Sequence, residues 1–246
     1  MKPVCLWSGP RNVSTALMYS FAQLDNVRAI DEPLYGHYLR VTGAAHPGRD
    51  EIIAAMNCDG QAVMDELIRT QRENPLPRLF VKHMAHHLVD LDLAFLARTC
   101  NVFLIRDPHE MLPSLTIQLP NAELVDTGLK RQSQLFDKMR DKGRAPLVLD
   151  SRELLLNPSY VLQQLCQAIG LPFSESMLKW PAGERAEDGV WAPHWYHAVH
   201  QSTGFQAYRE KTDFPATLLP LLEECQPWYE HLFAHALRAY QVGEKQ

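Results

Sequence analysis

The sequence predicts an α/β fold, with a central parallel sheet flanked by helices and a helical C-terminal cap. Three observations carry the prediction. Short apolar runs, partly β-branched and bounded by polar or turn residues, recur before Asp150. Such runs are strands buried on both faces, as in a parallel sheet. Segments of helical spacing lie between them, and that alternation implies βαβ crossovers. After Asp150 the pattern becomes mostly helical.

In chain order, residues 4–7 read as a strand and residues 14–23 as the helix that follows at once. A weaker strand covers 27–30. Residues 50–57 and 62–72 have helical spacing, 79–82 is a strand, and 89–98 is again helical. The strand 102–105 leads into helices over 108–118 and 122–141, and 147–149 is the last strand. Pro158 opens a helix running to Gln167, which Gly170 stops. Residues 41–48 and 181–189 are rich in Gly, Pro, Ala or polar residues and read as loops. The 246 residues fit a single domain, 1–246, in which residues from about 172 form the cap and acceptor region.

Composition narrows the partners. A net charge of −5 lacks the basic face that nucleic-acid binding needs. Cys5, Cys58, Cys100, Cys166 and Cys225 are scattered, with neither metal-ligand nor redox spacing, so they read as reduced thiols of a cytoplasmic protein. The apolar run after Lys2 is too short for a signal peptide, and no uncharged segment is long enough to cross a bilayer. The expected partner is a small-molecule acceptor, with neither nucleic acid nor membrane. Trp228, Tyr229 and Phe233 fit either a core or an interface, so the oligomeric state stays open.

The chemistry starts in the turn after the first strand, Ser8-Gly9-Pro10-Arg11-Asn12-Val13-Ser14-Thr15. A strand that turns straight into a helix aims backbone N–H groups and the positive helix end at one point, which suits phosphate or sulfate. Arg11 adds a permanent forked cation. The nucleotide-triphosphate loop G-x-x-x-x-G-K-[ST] is not matched, because its second glycine and its lysine are missing. A second anion site is expected where the strand 102–105 ends in Arg106, with Ser114 eight residues on. Ligands of parallel sheets gather at the carboxyl ends of strands. Asp107 and Pro108 are explained as helix cap and first helical residue; Arg106 and Ser114 are not. Two anion sites suggest a ligand phosphorylated at two places.

The run Pro10 to Thr15 resembles the 5′-phosphosulfate loop of the sulfotransferase family, and Arg106 with Ser114 resembles that family's 3′-phosphate motif. Leu147-Val-Leu-Asp-Ser-Arg-Glu-Leu-Leu-Leu-Asn-Pro158 is similar to its strand, acidic turn and Asn-Pro, so the resemblance spans most of residues 4–171. It implies a P-loop NTPase-like fold and 3′-phosphoadenosine 5′-phosphosulfate (PAPS) as sulfuryl donor, with no metal. Arg11, Asn12, Val13, Ser14 and Thr15 are then the 5′ contacts, and Arg106 and Ser114 the 3′ contacts. Three positions depart from the pattern. Arg11 stands where many members have lysine, Val13 where glycine is usual, and Ala16 where cytosolic members stack a tryptophan on adenine.

A hydroxyl acceptor needs a base. Asp31-Glu32-Pro33 resembles the Glu-Pro segment of carbohydrate-type members, which implies Glu32 as the base. His83, with His86 and His87, is the rival, since cytosolic members carry Lys-Thr-His at the matching strand end. Lys82 fits the lysine of that segment and is expected to stabilise the leaving oxygen. The aromatic and histidine-rich stretch 190–208 is expected to wall the acceptor, with Trp191, His194, Trp195 and Tyr196 nearest. Arg209 and Lys211 lie where some members have a basic loop over the 3′-phosphate. Two alternatives stand beside this reading. One is a phosphotransferase in which Asp150 holds magnesium, and the other is a non-catalytic nucleotide-binding module.

Overall fold

The computed structural model describes residues 1–240. β1 (Val4–Ser8), β2 (Val27–Asp31), β3 (Arg78–Met84), β4 (Cys100–Ile105) and β5 (Leu147–Asp150) form one parallel sheet in the order β2-β3-β1-β4-β5. The expected architecture is therefore observed. β1 and β3 are buried at every position, as strands covered on both faces must be. The chain divides into two compact units.

The first unit comprises Met1–Leu6, Thr15–Asn101 and Ser174–Gly204. It takes in nearly all of α1 (Ser14–Phe21), then α2 (Tyr35–Thr42), α3 (Arg49–Ala55) and α4 (Gly60–Glu73). Asp59 starts α4 by accepting from the Ala62 N–H at 3.0 Å. β2 and β3 pair in a register that sets Asp31 beside Lys82. The helix α2 was not expected. Its sequence, with Gly36 inside and Val41 and Thr42 at its end, is a weak helix former, and it is held by burial of Tyr35 and Leu39. It also takes the first two residues of the expected loop 41–48. The expected helix 89–98 is instead a 3₁₀ segment, Leu93–Arg98. Asp90 adopts a φ of 45°, which breaks the helical path, and Asp92 caps the shorter turn.

The second unit comprises Trp7–Ser14, Val102–Phe173 and the chain from Phe205. It carries α5 (Pro108–Leu115), α6 (Leu124–Thr127), α7 (Leu129–Arg140), α8 (Ser151–Leu156) and α9 (Pro158–Ile169). Pro158 at the start of α9 and Gly170 at its end, with a φ of 71°, act as expected. The single helix expected over 122–141 is two, because Gly128 takes a left-handed φ of 72° between α6 and α7. β4 and β5 pair so that Ile105 lies beside Asp150.

Residues after 172 are shared between the units, and they are largely irregular chain with a few single helical turns. α10 (Ala192–Trp195) and α11 (His197–His200) are one turn each, in the first unit; α12 (Leu219–Phe233) is the long helix, in the second. Among the described residues, no helix is long and apolar enough to cross a membrane.

Candidate active site

In the second unit the turn between β1 and α1 is fixed from several sides. Gly9 is sterically required, since a Cβ there meets the Thr127 carbonyl oxygen at 2.3 Å. Asn12 is buried and its Nδ2 donates to the Leu104 carbonyl at 3.1 Å. Ser151 Oγ donates to the carbonyls of Asn12 and Ile105 at 3.0 and 2.9 Å, which ties the turn to the ends of β4 and β5. Gln132 Nε2 bonds the Trp7 and Leu104 carbonyls at 2.7 and 3.2 Å. Arg11 and Val13 have φ values of 61° and 56°, a region that is strained for side chains other than glycine. Ser14 is buried, and Thr15 follows it half-buried on the first turn of α1.

Arg106 begins where β4 ends, and its guanidinium donates to the Arg11 carbonyl at 2.8 Å. Arg11 is solvent-exposed, yet its Nε donates to Ser114 Oγ at 2.9 Å. The expected contacts Arg11, Arg106 and Ser114 thus meet in one cluster. Partial burial, and then the neighbouring Arg106 charge, lower the pKa of Arg11. Lys211 is lowered by burial and then by Arg106, and its ammonium donates to the Glu110 carbonyl at 3.0 Å. The Glu110 carboxylate accepts from Arg106 Nε at 3.3 Å and from the Tyr208 hydroxyl at 2.6 Å. Burial and that bond push Tyr208 up to about 12. The Arg152 guanidinium stacks on Tyr208 at 5.3 Å. Repelling cations in partial burial are the electrostatics of an anion site.

A second cluster lies in the first unit. The Lys82 ammonium donates to Asp31 Oδ1 at 2.8 Å, to Glu32 Oε1 at 2.6 Å and to the Tyr196 hydroxyl at 2.7 Å. All four residues are buried. An ammonium has three protons, so none is left for a leaving oxygen in this geometry. Glu32 follows β2 with a φ of 33°, and its backbone N–H is held by the Lys82 carbonyl at 2.8 Å. Burial raises the Glu32 carboxyl above its ordinary pKa; Lys82 opposes the shift and Asp31 adds to it. For Lys82, burial favours the neutral amine, but Asp31, Glu32 and Tyr196 together outweigh it and keep the ammonium charged.

His83 is next on β3, on the other face of the strand, and burial with the Lys82 charge lowers it to about 3. His86 is likewise lowered to about 3, by burial and by His46. Both are neutral near pH 7 and weak as bases. His87 stacks on Tyr35 and Tyr38 at 4.9 and 4.5 Å. Of the expected acceptor wall, Trp191 and Tyr196 pack in one apolar cluster with Tyr35, Trp195 borders it, and His194 is exposed. Asp150 caps α8 through the N–H groups of Arg152 and Glu153 and accepts from the Tyr229 hydroxyl at 3.2 Å, so both its oxygens are engaged. Among the described residues, no group of His, Cys, Asp or Glu is arranged to hold a metal ion.

Sequence reasoning passed over Glu110, Ser151 and Gln132. Glu110 sits one helical turn after Arg106, which was a readable signal. The other two act through contacts distant in sequence and leave no local trace.

The Sulfotransferase domain family matches residues 1–236. Branched-chain-amino-acid aminotransferase-like protein 2 of Arabidopsis thaliana is 37% identical over 237 residues, covering 96% of this chain and 42% of the relative. Its companion, protein 1, is 38% identical over 231 residues, covering 93% and 41%. The chain thus spans about two-fifths of the length of these curated relatives. The sulfotransferase from Alicyclobacillus acidocaldarius shares the fold with a TM-score of 0.54 at 12% identity, covering 95% of each chain. The sulfotransferase domain of the Synechococcus PCC 7002 olefin synthase gives 0.53 at 18% identity, covering 96% of each. With the family matched along nearly its whole length, the chain belongs to the sulfotransferase family.

Proposed function

We propose that this sulfotransferase takes its sulfuryl group from PAPS and passes it to a hydroxyl or amine of a small molecule. The observation that carries the reading is the meeting of Arg11, Arg106 and Ser114, by which two cationic side chains and a hydroxyl converge from separate sheet turns. Two permanent cations carried on separate turns and held close together suit a ligand that bears more than one anion. Arg11, Asn12, Val13, Ser14 and Thr15 hold the 5′ end, and Arg106 with Ser114 holds the 3′-phosphate. In the transfer step the acceptor oxygen or nitrogen attacks sulfur, and Glu32 takes its proton. The sulfur–oxygen bond to the 5′-phosphate breaks, and its electron pair leaves on adenosine 3′,5′-bisphosphate. Positioning and charge balance supply the catalysis, so no metal is needed. With its three protons engaged, Lys82 serves better to hold Glu32 than to meet the leaving oxygen. The neutral imidazole of His83 is the weaker candidate for the base. Asp150 offers a phosphotransferase no open metal ligand.

The test uses sulfur-labelled PAPS with a panel of phenols, sugars and amines. The protein is expected to label an acceptor. Glu32→Gln is expected to label none while binding adenosine 3′,5′-bisphosphate as tightly as the parent. Near-normal labelling by Glu32→Gln moves the base to His83 or His86. Intact nucleotide binding with no labelling by the parent favours a non-catalytic module.

A further inference from the structure

We propose that Asp31, fixed by Tyr196, is a positioning residue that keeps Glu32 a competent proton acceptor by engaging the Lys82 ammonium. The inference rests on Glu32 being the base. A lysine paired with Glu32 alone would stabilise its carboxylate and weaken it as a base. Here one ammonium faces two carboxyls, and the parallel register of β2 and β3 places Asp31 directly beside Lys82.

Tyr196 closes the arrangement. Lys82 Nζ and Trp191 Nε1 can only donate, and both point at the Tyr196 oxygen, at 2.7 and 3.1 Å. The phenolic proton therefore goes to Asp31 Oδ2, at 2.6 Å. Lys82, Asp31 and Tyr196 form a closed ring in which the hydroxyl is saturated and both Asp31 oxygens are held. Among the described residues, the Glu32 side chain is held through Oε1 alone, which leaves Oε2 to receive a proton. The titratable groups near this set are Tyr35 on α2, Tyr19 on α1, His87 and, on the opposite face of β3, His83. The two histidines stay neutral near pH 7, so the charge balance at Glu32 is set by Lys82 and Asp31.

The Glu32 carboxyl can be titrated by infrared difference spectroscopy, its band identified by its loss in Glu32→Gln. Asp31→Asn is expected to lower the proton affinity of Glu32 roughly tenfold or more, because Lys82 then pairs with Glu32 alone. Tyr196→Phe keeps the ring packing but removes the hydroxyl that fixes Asp31, so the carboxylate can turn away from Lys82, and the midpoint is expected to shift the same way by less. If Asp31→Asn does not fold, the Tyr196→Phe titration decides alone. A midpoint that stays or rises in the variants that fold overturns the inference. Its failure is distinct from that of the base reading, which falls if Glu32→Gln still transfers the sulfuryl group or if the parent transfers none.

Discussion

Val13 carries the clearest local strain in the anion loop. Its φ of 56° is a left-handed value where a β-branched side chain is disfavoured. The backbone here holds a conformation that glycine adopts without steric cost. Arg11 and Glu32 share the property, with φ values of 61° and 33°. Strain at three residues for which donor binding and proton transfer are proposed fits the way active sites hold unfavourable geometry in place. Relief of a left-handed valine is worth ~1–3 kcal/mol, and glycine returns about 0.5–1 kcal/mol of that through the entropy of the unfolded chain. Val13→Gly is therefore expected to raise stability by about 1 kcal/mol in chemical denaturation. A variant that unfolds more easily would show that the valine side chain contributes more by packing than its backbone costs.

At the scale of elements, α8 hangs on one buried acid. Burial raises Asp150 from 3.8 to about 6, while hydrogen bonds from its own helix turn and from Tyr229 work the other way. The folded chain therefore holds this proton more tightly than the unfolded chain does. The stability it contributes is full below about pH 4 and is lost as pH rises through about 6. The loss amounts to about 3 kcal/mol by the usual conversion. Asn caps helices as well as Asp does and stays neutral. Asp150→Asn is thus expected to flatten the stability profile between pH 4 and 7, measured by denaturation at each pH. Parallel profiles for parent and variant would contradict the assignment.

For the molecule as a whole, the sheet and its anion-binding turns could be read from sequence because their signals are local. Buried strands are short apolar runs, Asp107-Pro108 and Asn157-Pro158 announce helices, and Arg106 sits at a strand end for no packing reason. What escaped depends on register and distance. Nothing near Lys82 in sequence shows that Asp31 lies beside it on the neighbouring strand, or that the Tyr196 hydroxyl reaches both. Gly128 was readable as a turn residue, but the helical spacing on either side outweighed it. α2 was hidden because tertiary burial, not propensity, holds it.

The central claim is that the Arg11 and Arg106 turns grip one doubly phosphorylated nucleotide. Calorimetry on Arg106→Ala tests it without knowledge of the acceptor. The variant is expected to lose ~1.5–3 kcal/mol of affinity for adenosine 3′,5′-bisphosphate, a charged hydrogen bond's worth, and clearly less for adenosine 5′-phosphate, which feels only the lost brace on the Arg11 carbonyl. Equal losses for the two ligands would contradict the account.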